Sequence, residues 1–305
     1  GFITLPVVRD IVLAKGFSLR EAEKFLQELC WREYFQRVWW KLGEGINLDI
    51  RHPQVALNNH EMATAIIEAE TGIHAIDDQI RHLYETGYMH NHARMYVAGI
   101  ACNLAGSHWK TPAQWMYYHL LDGDIASNFC SWQWVAGTFS HKKYIANQEN
   151  INKYLHSNQT GTFLDKSYDT LLNQEIPAAL KGTQKLDLQT ILPEKISFQP
   201  DTGKPLLIYH SYHLDPLWRK GEEANRVLLL DPDHFKKYPV SDKVIRFILD
   251  LAKNIPGIIV FTGTMHELLE LYGNPSNVFT IEHPPTKRHA IHQDPYSWMS
   301  PGVAL

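Results

Sequence analysis

The amino-acid sequence predicts a mainly α protein, in which an all-helical domain is followed by a smaller α/β domain with a parallel sheet. Three observations carry that expectation. Through the first half, apolar positions recur at three- and four-residue spacing and helix start and stop signals follow one another. Residues 157–203 lose strong periodicity. From Pro205 onward, short apolar runs of strand length alternate with amphipathic stretches, the pattern of a sheet covered on its faces. The expected organisation is a helical domain over residues 1–156, a connector over 157–203 and an α/β domain over 204–305.

The elements follow in order. Ser18 is placed to cap a helix over SLREAEKFLQELCWREYFQRVWW, with Glu21 completing a capping box and Phe25, Leu29 and Phe35 along an apolar stripe. After an irregular stretch, GEGINLDIRHPQVALNN, helices are expected near 60–69 and 74–86, the second ending at Gly87. HNHARMYVAGIACNLAG reads as a helix stopped by Gly106. Thr111 then offers an N-cap and Pro112 a first helical residue, and a further helix runs from about Asp124 to Val135. In the α/β part LLIYHSY, VLLLD, GIIVFTG and NVFTIEH read as strands. SDKVIRFILDLAKNI and MHELLELYG read as helices, the first of them capped.

Composition narrows the function. With 44% hydrophobic and 20% charged residues the chain can build real cores, and no run of eighteen apolar residues is present to span a membrane. Cys30, Cys102 and Cys130 are scattered without a CxxC pair, which argues against zinc, an Fe–S cluster or a disulfide framework and for a reducing, cytoplasmic setting. A formal charge of −4 argues against a basic coat for nucleic acid but leaves room for a local cleft. Trp31, Trp39, Trp40, Trp109, Trp115, Trp132 and Trp134 all precede residue 135, a density suited to stacking on bases or to moving electrons between indoles. The apolar start at GFITLPVVRDIVLAKG reads as the middle of a fold, so a preceding segment is expected.

Three constellations can carry chemistry. Glu28, Trp31 and Arg32 stand at i, i+3 and i+4, on one helical face; they read either as a ligand-binding face or as an intrahelical ion pair beside a core indole. In the second, Asn91, Arg94 and Met95 share a face, where the polar pair needs partners and a ligand is one choice and a helix cap another. His90 and His92, two apart, are expected to diverge, so no metal is expected there. In the third, Asp122 and Asp124 flank a glycine before a helix, and Asp124, Asn128 and Trp132 step one turn each along it.

Taken together, EKFLQELCWREYFQ, GYMHNHARM and LLDGDIASNFCSWQWVAGT resemble, in order and spacing, the signature stretches of the photolyase/cryptochrome family over roughly residues 18–140. The likeness is to photolyases of cyclobutane pyrimidine dimers and their bacterial relatives. It implies that the helical part is a photolyase-type FAD-binding domain. Arg32, Asn91, Arg94, Asp122, Asp124 and Asn128 match the family's flavin-contacting positions, with Arg94 and Asp122 paired, Asp124 at the polar edge of the isoalloxazine and Asn128 at its N5. Plant cryptochromes carry Asp and insect ones Cys at that last position, so Asn128 points to repair. Glu28, Trp31, Asn91, Met95 and Trp134 match the pocket for the flipped-out dimer, with Glu28 on the damaged bases and the indoles as walls. Trp132 and Trp109 match the two inner members of the family's tryptophan electron chain. The implied activity is light-driven repair of UV-damaged DNA by a monomer using reduced, anionic FAD. The second, antenna chromophore is unassigned, and no metal or membrane is involved. A photoreceptor without repair activity and a flavin-free interaction protein are the alternatives.

The chain also departs from the family pattern. Ala56 stands where the outer tryptophan is expected, and His92 replaces an arginine that contacts substrate. Residues 144–150 replace a stretch carrying Arg and Asn-Pro. The Thr/Ser-rich clamp for the FAD diphosphate is expected before residue 1, and the α/β part follows the helical one where relatives carry an antenna domain in front. The loop Thr262-Gly263-Thr264 is a possible phosphate cradle, without any nucleotide-binding motif to support it.

Overall fold

The computed structural model describes every residue except 56, 274, 288–290 and 300–305. Ala56, the position of the expected outer tryptophan, therefore lies outside the described residues. The chain forms two compact units, Gly1–Gly43 with Gln189–Leu305, and Glu44–Leu188. The boundaries differ from those expected at 156 and 204: the first two helices group with the sheet, and most of the expected connector belongs to the helical unit.

In the first unit, α1 (Leu5–Ala14) leads to α2 (Leu19–Leu42), which opens on the expected capping box of Ser18 and Glu21. The buried face of α2 is not the expected Phe25–Leu29–Phe35 stripe. It is Ala22, Glu33, Gln36, Val38 and Trp39, while Phe25 stays 45% exposed. Glu33 is held there by Arg37 at 3.0 Å and by the Met299 N–H, so a buried carboxylate keeps its partners.

The second unit runs β1 (Met62–Ala63), α3 (Thr64–Ile67), α4 (His74–Thr86), α5 (Asn91–Gly99), α6 (Lys110–His119), α7 (Ile125–Ala136), α8 (Gln148–Leu155), α9 (Tyr168–Asn173) and β2 (Thr183–Gln184). The helix expected near 60–69 shrinks to α3 because Met62 and Ala63 pair antiparallel with Gln184 and Thr183. α5 passes into a π turn over residues 100–104, closed by the Ala105 N–H on Ile100 O, before Gly106 ends it at φ +70°. α6 starts one residue ahead of the expected cap. Trp109 takes the cap position, and Thr111 Oγ1 donates to His60 O at 2.7 Å instead. Pro112 then sits third in the helix, where its missing N–H is still one of the first-turn orphans.

The chain returns to the first unit with β3 (Leu206–Tyr209), β4 (Asn225–Leu230), α10 (Pro232–Lys237), α11 (Asp242–Ala252), β5 (Ile258–Thr262), α12 (Met265–Tyr272), β6 (Val278–Ile281) and β7 (His292–Asp294). The sheet is parallel in the order β5-β4-β3-β6-β7, one strand more than the four expected. All four residues of β3 are buried, as a central strand covered on both faces requires. Leu206, Ile208, Val227, Leu229, Phe261 and Val278 pack with Met265, Leu268 and Tyr272 of α12. Ser241 occupies the cap position of α11 but its side chain makes no capping bond. The Thr262-Gly263-Thr264 loop holds an anion of its own: the Glu267 carboxylate accepts the Thr264 N–H at 2.7 Å and a cation's hydrogen bond from Lys195 at 2.7 Å. The possible phosphate cradle is thereby occupied by a side chain of the protein itself. Chain order reverses at β3, and His210, Tyr212 and His213 after it gather with His283 after β6 beyond the strand ends.

Candidate functional site

α4 ends at Gly87, which lies at φ +74° and whose missing side chain leaves room for Leu121; a Cβ there would stand 2.5 Å from Leu121 Cγ. The Leu121 N–H donates to Gly87 O at 2.9 Å, which brings the loop between α6 and α7 up to the start of α5. On that footing Arg94 Nη2 reaches both oxygens of Asp122, at 3.0 and 3.1 Å, while its Nε donates to Met89 O at 2.8 Å. Asp122 is 59% exposed, so the pair contributes on the order of 0–1 kcal/mol; its effect is to fix the guanidinium rather than to hold the fold.

Asp124 caps α7, accepting the Ser127 N–H at 2.8 Å, and is 5% exposed. One turn on, Asn128 Nδ2 donates to Ala113 O at 2.8 Å. The amide is thereby oriented, and it can offer a ligand its Oδ1 acceptor and its second N–H. Ser127 Oγ beside it is buried without a hydrogen-bond partner, the kind of orphan that a bound polar group satisfies. Trp132, one further turn along, is 2% exposed, whereas Trp134 is 42% exposed and meets Tyr144 at 5.9 Å.

At the start of α5, Asn91 is exposed and the cap is His90, whose ring accepts the His92 N–H at 3.3 Å. The two rings do not diverge as expected. They stack at 5.3 Å because His90 lies just outside the helix and turns back over it. Met95 is half-buried. Trp109 is fully buried, edge-on to Phe129 at 5.3 Å, and its indole N–H donates to Asp49 Oδ1 at 2.7 Å. Nothing in the sequence marked Asp49.

Glu28, Trp31 and Arg32 belong to α2 in the other unit. Glu28 is exposed, and Trp31, 54% exposed, rests on Tyr34 and Phe35 at 5.7 and 5.8 Å. Arg32 lines, with Thr4, Tyr212 and His213, a cavity of about 40 Å³, room for a few waters at most.

Cys102 and Cys130 are buried, which raises their thiols well above the ordinary range; Cys30 is exposed. Among the described residues no cluster of three His, Cys, Asp or Glu side chains is arranged to hold a metal ion. Among the described residues no helix is long and apolar enough to cross a membrane.

Residues 25–173, which include most of these side chains, match the family described as the FAD binding domain of DNA photolyase. Over this stretch the chain is similar to the photolyase/cryptochrome family. Its relatives include a deoxyribodipyrimidine photo-lyase of Synechococcus sp., 35% identical over 115 residues, 37% of this chain and 24% of that protein. A cryptochrome DASH of Danio rerio is 32% identical over 168 residues, 53% of this chain and 30% of that protein. The chain thus spans less than a third of either relative's length. Among solved structures, the cryptochrome of Synechocystis sp. aligns with a TM-score of 0.44 and 22% identity, over 49% of this chain and 32% of that one. The chain carries an FAD-binding domain.

Proposed function

We propose that this protein binds reduced FAD and uses it to repair cyclobutane pyrimidine dimers in DNA under light. Bound and reduced, FAD supplies the photo-excited electron that opens the dimer ring and that returns after splitting. The chain's own residues supply position and electrostatics. Asn128 carries the reading: with Nδ2 held by Ala113 O, its Oδ1 is left to accept a hydrogen bond from a ring N–H, the group a reduced flavin presents. Asp124 would meet the polar edge of the ring system, and Arg94, steadied by Asp122, would face the cofactor with Asn91. In the first unit Arg32, on α2, is proposed as a further flavin contact.

In the second unit the exposed Trp134 and half-buried Met95 would provide apolar walls for bases taken out of the duplex and Asn91 a hydrogen bond to them, and in the first unit Trp31 and Glu28, both exposed on α2, are proposed for the same two roles. Trp132 and Trp109, both buried, form an electron path through which the cofactor is brought to its reduced state. The protein works as a monomer in the cytoplasm. The antenna chromophore is left unassigned.

A photoreceptor without repair activity is the second reading. His92 favours it, standing where repair enzymes of the family carry an arginine, and one of the relatives is a cryptochrome DASH. One experiment separates the two: the purified protein is examined for flavin absorption, then illuminated under reducing conditions with an oligonucleotide containing a thymine dimer. Light-dependent loss of dimers is the expected result. Flavin without repair would transfer the assignment to the photoreceptor, and a colourless protein that takes up no added FAD would overturn both.

A further inference from the structure

The indole of Trp109 is sealed from water and hydrogen-bonded to a carboxylate. Its Nε1 donates to Asp49 Oδ1 at 2.7 Å, and Asp49 lies sixty residues earlier in the chain. Two further donors fix that carboxylate. The Gln54 backbone N–H meets Oδ2 at 2.9 Å, and His108 Nε2 stands 3.3 Å from Oδ1. His108 Nδ1 accepts the Lys110 N–H at 3.3 Å, so the ring hydrogen sits on Nε2 and points at Asp49. Burial pushes the His108 imidazole below its ordinary range, which keeps it neutral. Gln54 also ties the two partners together: its Oε1 accepts the Trp109 backbone N–H at 2.9 Å, and its Nε2 donates to Ser107 O at 2.8 Å. Carboxylate and indole are thus clamped by one residue.

Satisfying a buried N–H would need only a neutral acceptor, such as a carbonyl oxygen. A carboxylate does more. An indole that has lost an electron is far more acidic at nitrogen than the neutral ring, and a base already at hydrogen-bonding distance takes the proton without rearrangement. We propose that Asp49 is a positioning residue of the electron path, taking the Nε1 proton of Trp109 as that indole is oxidised and so making Trp109 the resting place of the electron vacancy. In the step, Trp109 gives one electron to oxidised Trp132, its N–H bond breaks, and an O–H bond forms on Asp49. A neutral indolyl radical and a neutral carboxylic acid remain. An external thiol returns the electron, and Asp49 returns the proton. The vacancy then needs no third indole, in keeping with Ala56 at the outer position. This inference rests on the reading of Trp109 and Trp132 as an electron path.

The test compares the native protein with Asp49→Asn, Asp49→Glu and Trp109→Phe. Asparagine keeps an oxygen acceptor for the indole but cannot hold its proton. Transient absorption distinguishes the tryptophan radical cation from the neutral radical. It is recorded twice: with FAD bound, and without flavin using flash-quench oxidation by ruthenium tris-bipyridine. The Trp109 indole N–H resonance confirms that each Asp49 variant keeps the hydrogen bond.

The native protein should give a neutral radical that Trp109→Phe abolishes. In Asp49→Asn its formation should slow by about a hundredfold, the low end of what a positioned base contributes, and Asp49→Glu should recover most of the rate. A neutral radical that forms equally fast in Asp49→Asn, in either experiment, overturns the proposal. If Trp109→Phe reduces its flavin under light as fast as the native protein, the electron-path reading itself fails, while the ruthenium experiment still decides whether Asp49 takes the proton.

Discussion

At the start of α7 the Asp124 carboxylate accepts a backbone N–H while almost wholly buried, so it serves the helix whether or not a cofactor is present. Asp124→Ala should therefore lower stability by about 1 kcal/mol, the usual loss on removing such a cap. Asp124→Asn keeps the acceptor and should retain most of that stability while removing the charge proposed to face the flavin. Urea denaturation of the two variants, set beside their FAD affinity, separates the roles. An alanine variant as stable as the native protein would show that the cap is not what the carboxylate contributes. Asp124, Asn128 and Trp132 could be read from the sequence because one-turn steps on a single helix put them on one face. Asp49 could not. Its partner Trp109 is sixty residues away, and the irregular stretch that holds Asp49 has no periodicity to project it. The stacking of His90 and His92 was missed for a related reason: helical spacing does not apply to a cap residue just outside the helix.

Among the elements, those with their own start and stop signals were legible. The capping box of α2, the span of α7 and the alternation of β3 to β6 with α11 and α12 follow from local patterns. What failed was decided elsewhere in the chain. β1 exists because residues 183–184 pair with it, and the start of α6 is set where Thr111 bonds His60. The end of α4 belongs to both kinds. Gly87 was readable as a helix stop, but its contact with Leu121 was not. Gly87→Ala should cost about 1–2 kcal/mol for the left-handed backbone, plus a further loss for displacing Leu121. Gly161→Ala is the control, since Gly161 has φ +73° with nothing within 4 Å of an added Cβ. Equal losses in the two variants, measured by denaturant unfolding, would show that the approach of Leu121 to Gly87 is not tight.

Across the molecule, the first unit buries several histidines in their neutral form. Burial lowers His213 to about 3 and His234 to about 4, and drives His210 and His283 well below 6.5. A histidine depressed in the folded state binds its proton more readily when unfolded. The stability it contributes is therefore present above about pH 6.5 and is lost as the pH falls toward the folded value. For a group as buried as His213 the slope approaches about 1.4 kcal/mol per pH unit within that window. Thermal unfolding between pH 7.5 and 5 should show the midpoint of the first unit falling, and His213→Asn should flatten the fall. A profile with no slope below pH 6.5 would mean that these rings meet water in solution.

The first unit is also discontinuous: α1 and α2 come before the helical unit and the sheet after it. A ribosome therefore delivers residues 44–188 whole before the first residue of β3 exists, and a unit complete in sequence can fold as it emerges. The α1–α2 hairpin has no such option. Trp39 packs against Tyr212, Tyr238 and His283, all of which are synthesised later. A nascent chain halted after residue 188 would present a finished second unit joined to a hairpin whose Trp39, buried in the complete protein, still faces solvent and whatever chaperone waits at the exit tunnel.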